Sequence, residues 1–132
     1  MQDIKALLAK VHHLKLLYIE DNAEVRQATV GLFANIFSDI TTAEDGEEAL
    51  EKITASSDGY DLIITDINMP KVDGYQVIEE LRKKSTHAKV YVLSAYNQVD
   101  NVERAGSHVD AYLYKPLDMK ALFEVLEKDY MA

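Results

Sequence analysis

Five side chains able to do chemistry stand where short apolar runs end. Leu62-Ile63-Ile64-Thr65 closes on Asp66. Leu14-Lys15-Leu16-Leu17-Tyr18-Ile19 closes on Glu20 and Asp21. Lys89-Val90-Tyr91-Val92-Leu93 closes on Ser94, and residues 109–114 close on Lys115. Three carboxylates drawn together repel one another. A hard divalent cation such as Mg²⁺ or Mn²⁺, which prefers oxygen ligands, relieves that repulsion. Lys115 adds compensating charge. Such a set suits an incoming phosphoryl group: cation and ammonium neutralise its oxygens and Ser94 hydrogen-bonds another. A carboxylate then attacks phosphorus in line, giving an aspartyl phosphate.

Taken singly, each residue has a plainer explanation. Asp66 could be a polar stop to a core strand, and Glu20 or Asp21 a helix cap. Ser94 could be an ordinary strand-end hydroxyl, and Lys115 a solvated lysine. Joint placement decides between the readings, because one fold brings every one of these ends to the same edge.

The elements that must do this alternate. Strands are expected over residues 14–19, 38–43, 60–65, 89–93 and 109–114, from apolar runs bounded by turn residues. The second is the most polar and reads as an edge strand. Between them lie helices. The first of these buries Val25, Ala28, Leu32, Phe33 and Ile36, with Asn22 or Asp21 as its cap and Glu24 near its positive end. Residues 47–56 turn Ala49, Leu50 and Ile53 inward. Residues 75–84 do the same with Val77, Ile78 and Leu81. A short helix falls within residues 97–105, and a last one, capped by Asp118, carries Leu122, Val125 and Leu126. Pro70 and the Lys71-Val72-Asp73-Gly74 loop end the third strand. Five βα repeats imply a parallel sheet with right-handed crossovers and helices on both faces. In such a sheet all strand C-termini share one edge, where open α/β folds do their chemistry.

Ahead of the repeats, residues 1–13 place Ile4, Leu7, Leu8 and Val11 on one stripe of an amphipathic helix. It could cap the domain, make a dimer contact or continue an upstream helix. His12 and His13 follow and read as solvated surface histidines rather than phosphoryl carriers. The chain is therefore divided into an N-terminal extension, 1–13, and one domain, 14–130.

Composition narrows the classes. A net charge of -9 over 132 residues disfavours nucleic-acid binding, which needs a basic footprint. It equally disfavours docking on an anionic membrane. The chain has no cysteine, which removes thiolate nucleophiles, disulfides and cysteine zinc sites. No apolar run approaches the ~20 residues of a membrane span, and no signal-peptide core is present, so a cytoplasmic location is expected.

The set Glu20-Asp21, Asp66-Ile67-Asn68-Met69-Pro70, Ser94-Ala95, Tyr112 and Lys115-Pro116 resembles the response-regulator receiver domain of two-component signalling, over about residues 14–130. The resemblance implies a flavodoxin-like doubly wound (βα)5 sandwich with a parallel five-stranded sheet of order 2-1-3-4-5, to which the N-terminal helix is extra. It implies that Asp66 is the phosphoacceptor. Asp21 would bind Mg²⁺ directly and Glu20 through water, with Asp66 and the Asn68 backbone carbonyl as further ligands. Lys115 would bind the phosphoryl group, its peptide to Pro116 being cis. Ser94 is similar to the switch hydroxyl and Tyr112 to the switch aromatic. Asn68 and Tyr96 would flank the phosphoryl group and tune its hydrolysis. One departure is His108, where the family often has glycine; here Gly106 lies two residues earlier.

The implied partners are a histidine kinase or histidine phosphotransfer protein. Downstream lies a protein or effector domain docking on the 97–105 helix, the fifth strand and the last helix. A homodimer is also open. No effector domain follows residue 132, so either a stand-alone receiver or a piece of a longer chain is expected, without turnover of an external substrate. Two other classes compete. An aspartate-nucleophile phosphatase wants a second aspartate two residues after the first, and position 68 is Asn. A degenerate receiver would be a plain interaction module, yet the acceptor, acids and lysine are all present. A dinucleotide binder lacks its glycine fingerprint after the first strand.

Overall fold

The computed structural model describes residues 4–56, 59–66, 74–84, 88–95 and 109–131. Its elements run α1 (Ile4–Val11), β1 (Lys15–Ile19), α2 (Ala23–Phe33), β2 (Asp39–Ala43), α3 (Gly46–Ala55), β3 (Leu62–Thr65), α4 (Gly74–Lys84), β4 (Lys89–Ser94), β5 (Ala111–Tyr114) and α5 (Met119–Tyr130). The helix expected over residues 97–105, with Gly106 and His108, lies outside the described residues, as does the loop from Ile67 to Asp73.

The sheet is parallel throughout, in the order β2-β1-β3-β4-β5. Central strands β1, β3 and β4 are buried on both faces, which is why they read as continuous apolar runs. β2, with its two threonines, takes an edge. Alternation splits the core in two. Leu16, Tyr18, Leu62, Ile64, Tyr91 and Leu93 face α1, α2 and α5. Leu17, Ile19, Ile63, Val90 and Val92 face α3 and α4.

The helix caps follow the sequence. Asn22 Oδ1 accepts from the Val25 N–H at 3.0 Å, Asp45 Oδ1 from Glu48 at 2.8 Å and Asp118 Oδ1 from Lys120 at 3.0 Å. Each satisfies an N–H that helix geometry leaves open. In α4, Val77, Ile78 and Leu81 are buried as expected.

α2 keeps part of the expected stripe: Phe33 and, beyond the helix, Ile36 face the core as expected, but with Thr29 and Phe37. Ala28 and Leu32 are exposed and Val25 is only partly buried. The helix is rotated because Phe33 packs edge-on against both Tyr18 and Phe37, with ring centroids 5.1 and 6.1 Å away. Two such aromatic contacts outweigh a leucine and an alanine. Val25, Ala28 and Leu32 instead line one wall of a groove of about 430 Å³, with Pro116 and Leu117 opposite.

The N-terminal helix is integral to the core. Leu7 and Val11 have no solvent exposure and pack in the cluster that holds Leu122 and Leu126 of α5. Burying such side chains stabilises by about 1.5–3 kcal/mol each. Ile4, expected on the same stripe, is 46% exposed at the free end of the helix. The His12 carbonyl accepts from both the backbone N–H and the hydroxyl of Ser38, at 2.8 Å each, which ties α1 to the start of β2.

Candidate functional site

The strand-end residues hang from the last rungs of the sheet. Glu20 N–H donates to the Ala43 carbonyl at 3.0 Å. Asp66 N–H donates to Ile19 at 3.1 Å, and Lys115 N–H to Ser94 at 2.9 Å. Each rung continues a parallel ladder one residue past the strand. The backbone is thus fixed where the side chains must converge.

They do converge. Lys115 Nζ lies 2.8 Å from Asp66 Oδ2 and 2.5 Å from Glu20 Oε1. Ser94 Oγ donates to Asp66 Oδ1 at 3.1 Å. Carboxylate oxygens of Glu20, Asp21 and Asp66 lie within 4.8 Å of one another. Glu20, Asp66 and Ser94 are buried, whereas Asp21 is exposed at the mouth. The Lys115–Pro116 peptide is cis.

The electrostatics follow from this crowding. Burial pushes the Glu20 carboxyl up, and its bonds from Lys115 and the Asn22 N–H offset only part of that. Burial pulls the Lys115 ammonium down, but its contacts with Asp66 and Glu20 outweigh burial and leave it raised. Lysine therefore stays charged between two acids, as a site built for an anionic group requires. Beneath them Tyr18 is fully buried, and desolvation pushes its phenol up to about 12.

Tyr112 is partly buried against the apolar cluster that contains Val90 and Val92, and is paired in register with Val92. Alternation along β4 puts Ser94 on the same sheet face as Val92. Asn68 and Tyr96 lie outside the described residues. Two contributors were not foreseen. Thr65 Oγ1 donates to the Asp66 carbonyl at 2.8 Å. Arg26 Nη1 donates to the Glu20 carbonyl at 2.8 Å. Arg26 did leave a trace in the sequence: a cation in a helix's first turn opposes the macrodipole and so points to a specific partner.

A doubly wound parallel sheet with acids, a hydroxyl and a lysine at one edge defines a class of α/β domain that handles phosphate at its strand C-termini. Residues 16–127 match the response regulator receiver domain model, and the chain belongs to that family. A relative from Treponema pallidum, chemotaxis protein CheY, is 40% identical over 86 residues, covering 63% of this chain and 58% of its own. A probable transcriptional regulator, ycf27, from Porphyridium aerugineum is 36% identical over 109 residues, 82% of this chain and 44% of that one. The chain thus spans about half the length of these curated relatives. Among solved structures, the response regulator TrrA of Thermotoga maritima, in complex with Mg²⁺-BeF, superposes with a TM-score of 0.75 at 34% identity. That match covers 87% of this chain and 97% of TrrA. No described helix is long and apolar enough to cross a membrane.

Proposed function

We propose that this chain is a phosphorylation-driven signalling switch with Asp66 as its acceptor. One observation carries the reading: Lys115 Nζ and Ser94 Oγ meet on the two oxygens of a single buried carboxylate, beside a second and a third. An Asp66 oxygen attacks phosphorus, and the bond from phosphorus to the donor's leaving atom breaks. Lys115 holds the transferred oxygens. Ser94 exchanges its bond to Asp66 for one to the phosphoryl group, and Tyr112, on the same sheet face, turns into the space Ser94 leaves.

The donor set suits Mg²⁺ or Mn²⁺: all oxygen, with one acid exposed and two buried. Asp21 and Asp66 would hold the ion with the Asn68 carbonyl, and Glu20 through water. When bound, the ion supplies positive charge to the phosphoryl oxygens. Complexation of TrrA with Mg²⁺-BeF supports this choice.

The reading carries with it a cytoplasmic location, a histidine kinase or phosphotransfer donor, and no turnover of an external substrate. Its output is docking of a protein or effector domain at the fifth strand and the neighbouring helices, with a homodimer as one form. Tyr114 on β5 is exposed there. Asn68 and Tyr96 would set the phosphoryl lifetime.

Incubation with Mg²⁺ and acetyl phosphate, followed by intact-mass measurement, tests the proposal. We expect an acid-stable, base-labile phosphate adduct that Asp66→Asn abolishes. A folded wild-type protein that takes no adduct would point to an interaction module instead. Steady hydrolysis of external phosphate esters would point to a phosphatase.

A further inference from the structure

We propose that Arg26 is a positioning residue for the metal-binding acids. The inference rests on the proposed function and concerns how the Glu20–Asp21 peptide is aimed. Three bonds converge on that turn. Arg26 Nη1 donates to the Glu20 carbonyl at 2.8 Å, the Asn22 N–H donates to Glu20 Oε2 at 3.1 Å, and the Glu20 N–H is held by Ala43. The Glu20 carbonyl belongs to the peptide that leads into Asp21, so fixing its direction fixes where the Asp21 side chain leaves the backbone. Arg26 is held in turn. Its own N–H bonds to the Asn22 carbonyl at 2.8 Å, and its Nη2 lies 3.8 Å from Glu44 Oε2 in the turn after β2. The guanidinium therefore joins the β1–α2 and β2–α3 turns. Its fork suits this duty, since one nitrogen can grip a carbonyl while another faces an acid.

Charge and geometry predict opposite outcomes. A cation bonded to the turn that carries two of the acids repels a divalent ion bound there, so if Arg26 acted only through charge, its loss would tighten Mg²⁺ binding. If Arg26 aims the peptide, its loss weakens binding, because the ligand oxygen must be re-ordered each time an ion arrives. Outer groups that orient metal ligands typically contribute 10–100-fold in affinity.

The test is isothermal titration of Mg²⁺ into the full chain and into Arg26→Gln, Arg26→Lys and Glu44→Gln, with unfolding midpoints recorded alongside. We expect Arg26→Gln to raise the Mg²⁺ Kd about tenfold. Arg26→Lys, still able to reach the carbonyl, should fall between it and wild type. Glu44→Gln, which loosens the Arg26 fork at an exposed acid, should raise the Kd less than Arg26→Gln does, since exposed pairs contribute little. An unchanged or lower Kd in Arg26→Gln overturns the proposal. So does a Kd rise in Arg26→Lys equal to that of Arg26→Gln at a similar loss of midpoint, which would mark a merely structural role. Should Arg26→Gln fail to fold, an Arg26→Lys Kd equal to wild type overturns it. If wild type itself binds no Mg²⁺, the functional reading fails first.

Discussion

Lys115→Met removes the one ammonium shared by Glu20 and Asp66 while keeping the aliphatic stem in place. Among the described residues, Lys115 is the cation that meets Glu20 Oε1, with its Nζ 2.5 Å away. Breaking a buried ion pair from one side costs about 3–5 kcal/mol. Lys115 is 23% exposed, so water screens part of this, and the lysine's own desolvation cost is recovered. The net loss should be about 2–3 kcal/mol at pH 7.5. With a urea dependence of about 2 kcal/mol per molar, the midpoint falls by roughly 1–1.5 M. The pH dependence gives an independent check. Burial already raises the Glu20 carboxyl, and the variant removes its counter-charge. The folded variant then holds a proton that the unfolded chain has released, so its stability falls as pH rises through the folded value. Urea unfolding followed by circular dichroism at pH 5 and 7.5 should show the gap to wild type narrowing at the lower pH. An unchanged midpoint at pH 7.5, or a gap that widens at pH 5, would refute the reasoning.

The rotated α2 and the buried α1 give a paired stability test. Leu7→Ala, at a side chain with no exposure, should cost about 2–4 kcal/mol, whereas Leu32→Gln, 39% exposed, should stay within about 0.5 kcal/mol. The reverse ranking in urea unfolding would restore the simple apolar stripe. Alkaline unfolding should be steep. Burial pushes the Tyr18 phenol from 10.0 up to about 12 in the fold, so its contribution is lost as pH climbs from 10 toward 12. Lys115, also raised, adds to the loss above 10.5. Tyr18→Phe should flatten this limb by up to about 3 kcal/mol, two units at 1.36 kcal/mol each, read as midpoint against pH.

Much of this was legible in the residues. Apolar runs closing on Glu20, Asp66, Ser94 and Lys115 mark central parallel strands, because burial on both faces demands continuous hydrophobicity and forces any polar group to the ends. The caps Asn22 and Asp118 were equally local, since a capping oxygen bonds to an N–H only two or three residues away. Sequence order alone, however, says nothing of which strands are neighbours; strand order came by resemblance, and the backbone pairing displays it.

Tertiary packing decided the rest. Which face of α2 turns inward depended on Phe33 finding Tyr18 on β1, a partner that helical periodicity cannot name. The role of α1 depended on the apolar face of α5, where Leu122 and Leu126 share a cluster with Leu7 and Val11, and that face is set only once α5 lies on the sheet. The sharing of Lys115 between Glu20 and Asp66 required three strand ends, separated by up to 95 positions in sequence, to meet within 2.8 Å (115 minus 20). Residue types determine which chemistry is available, because charge and hydrogen-bonding capacity belong to the side chain. Distances between those charges belong to the fold, and they determine which acid the lysine holds and which backbone carbonyl Arg26 fixes.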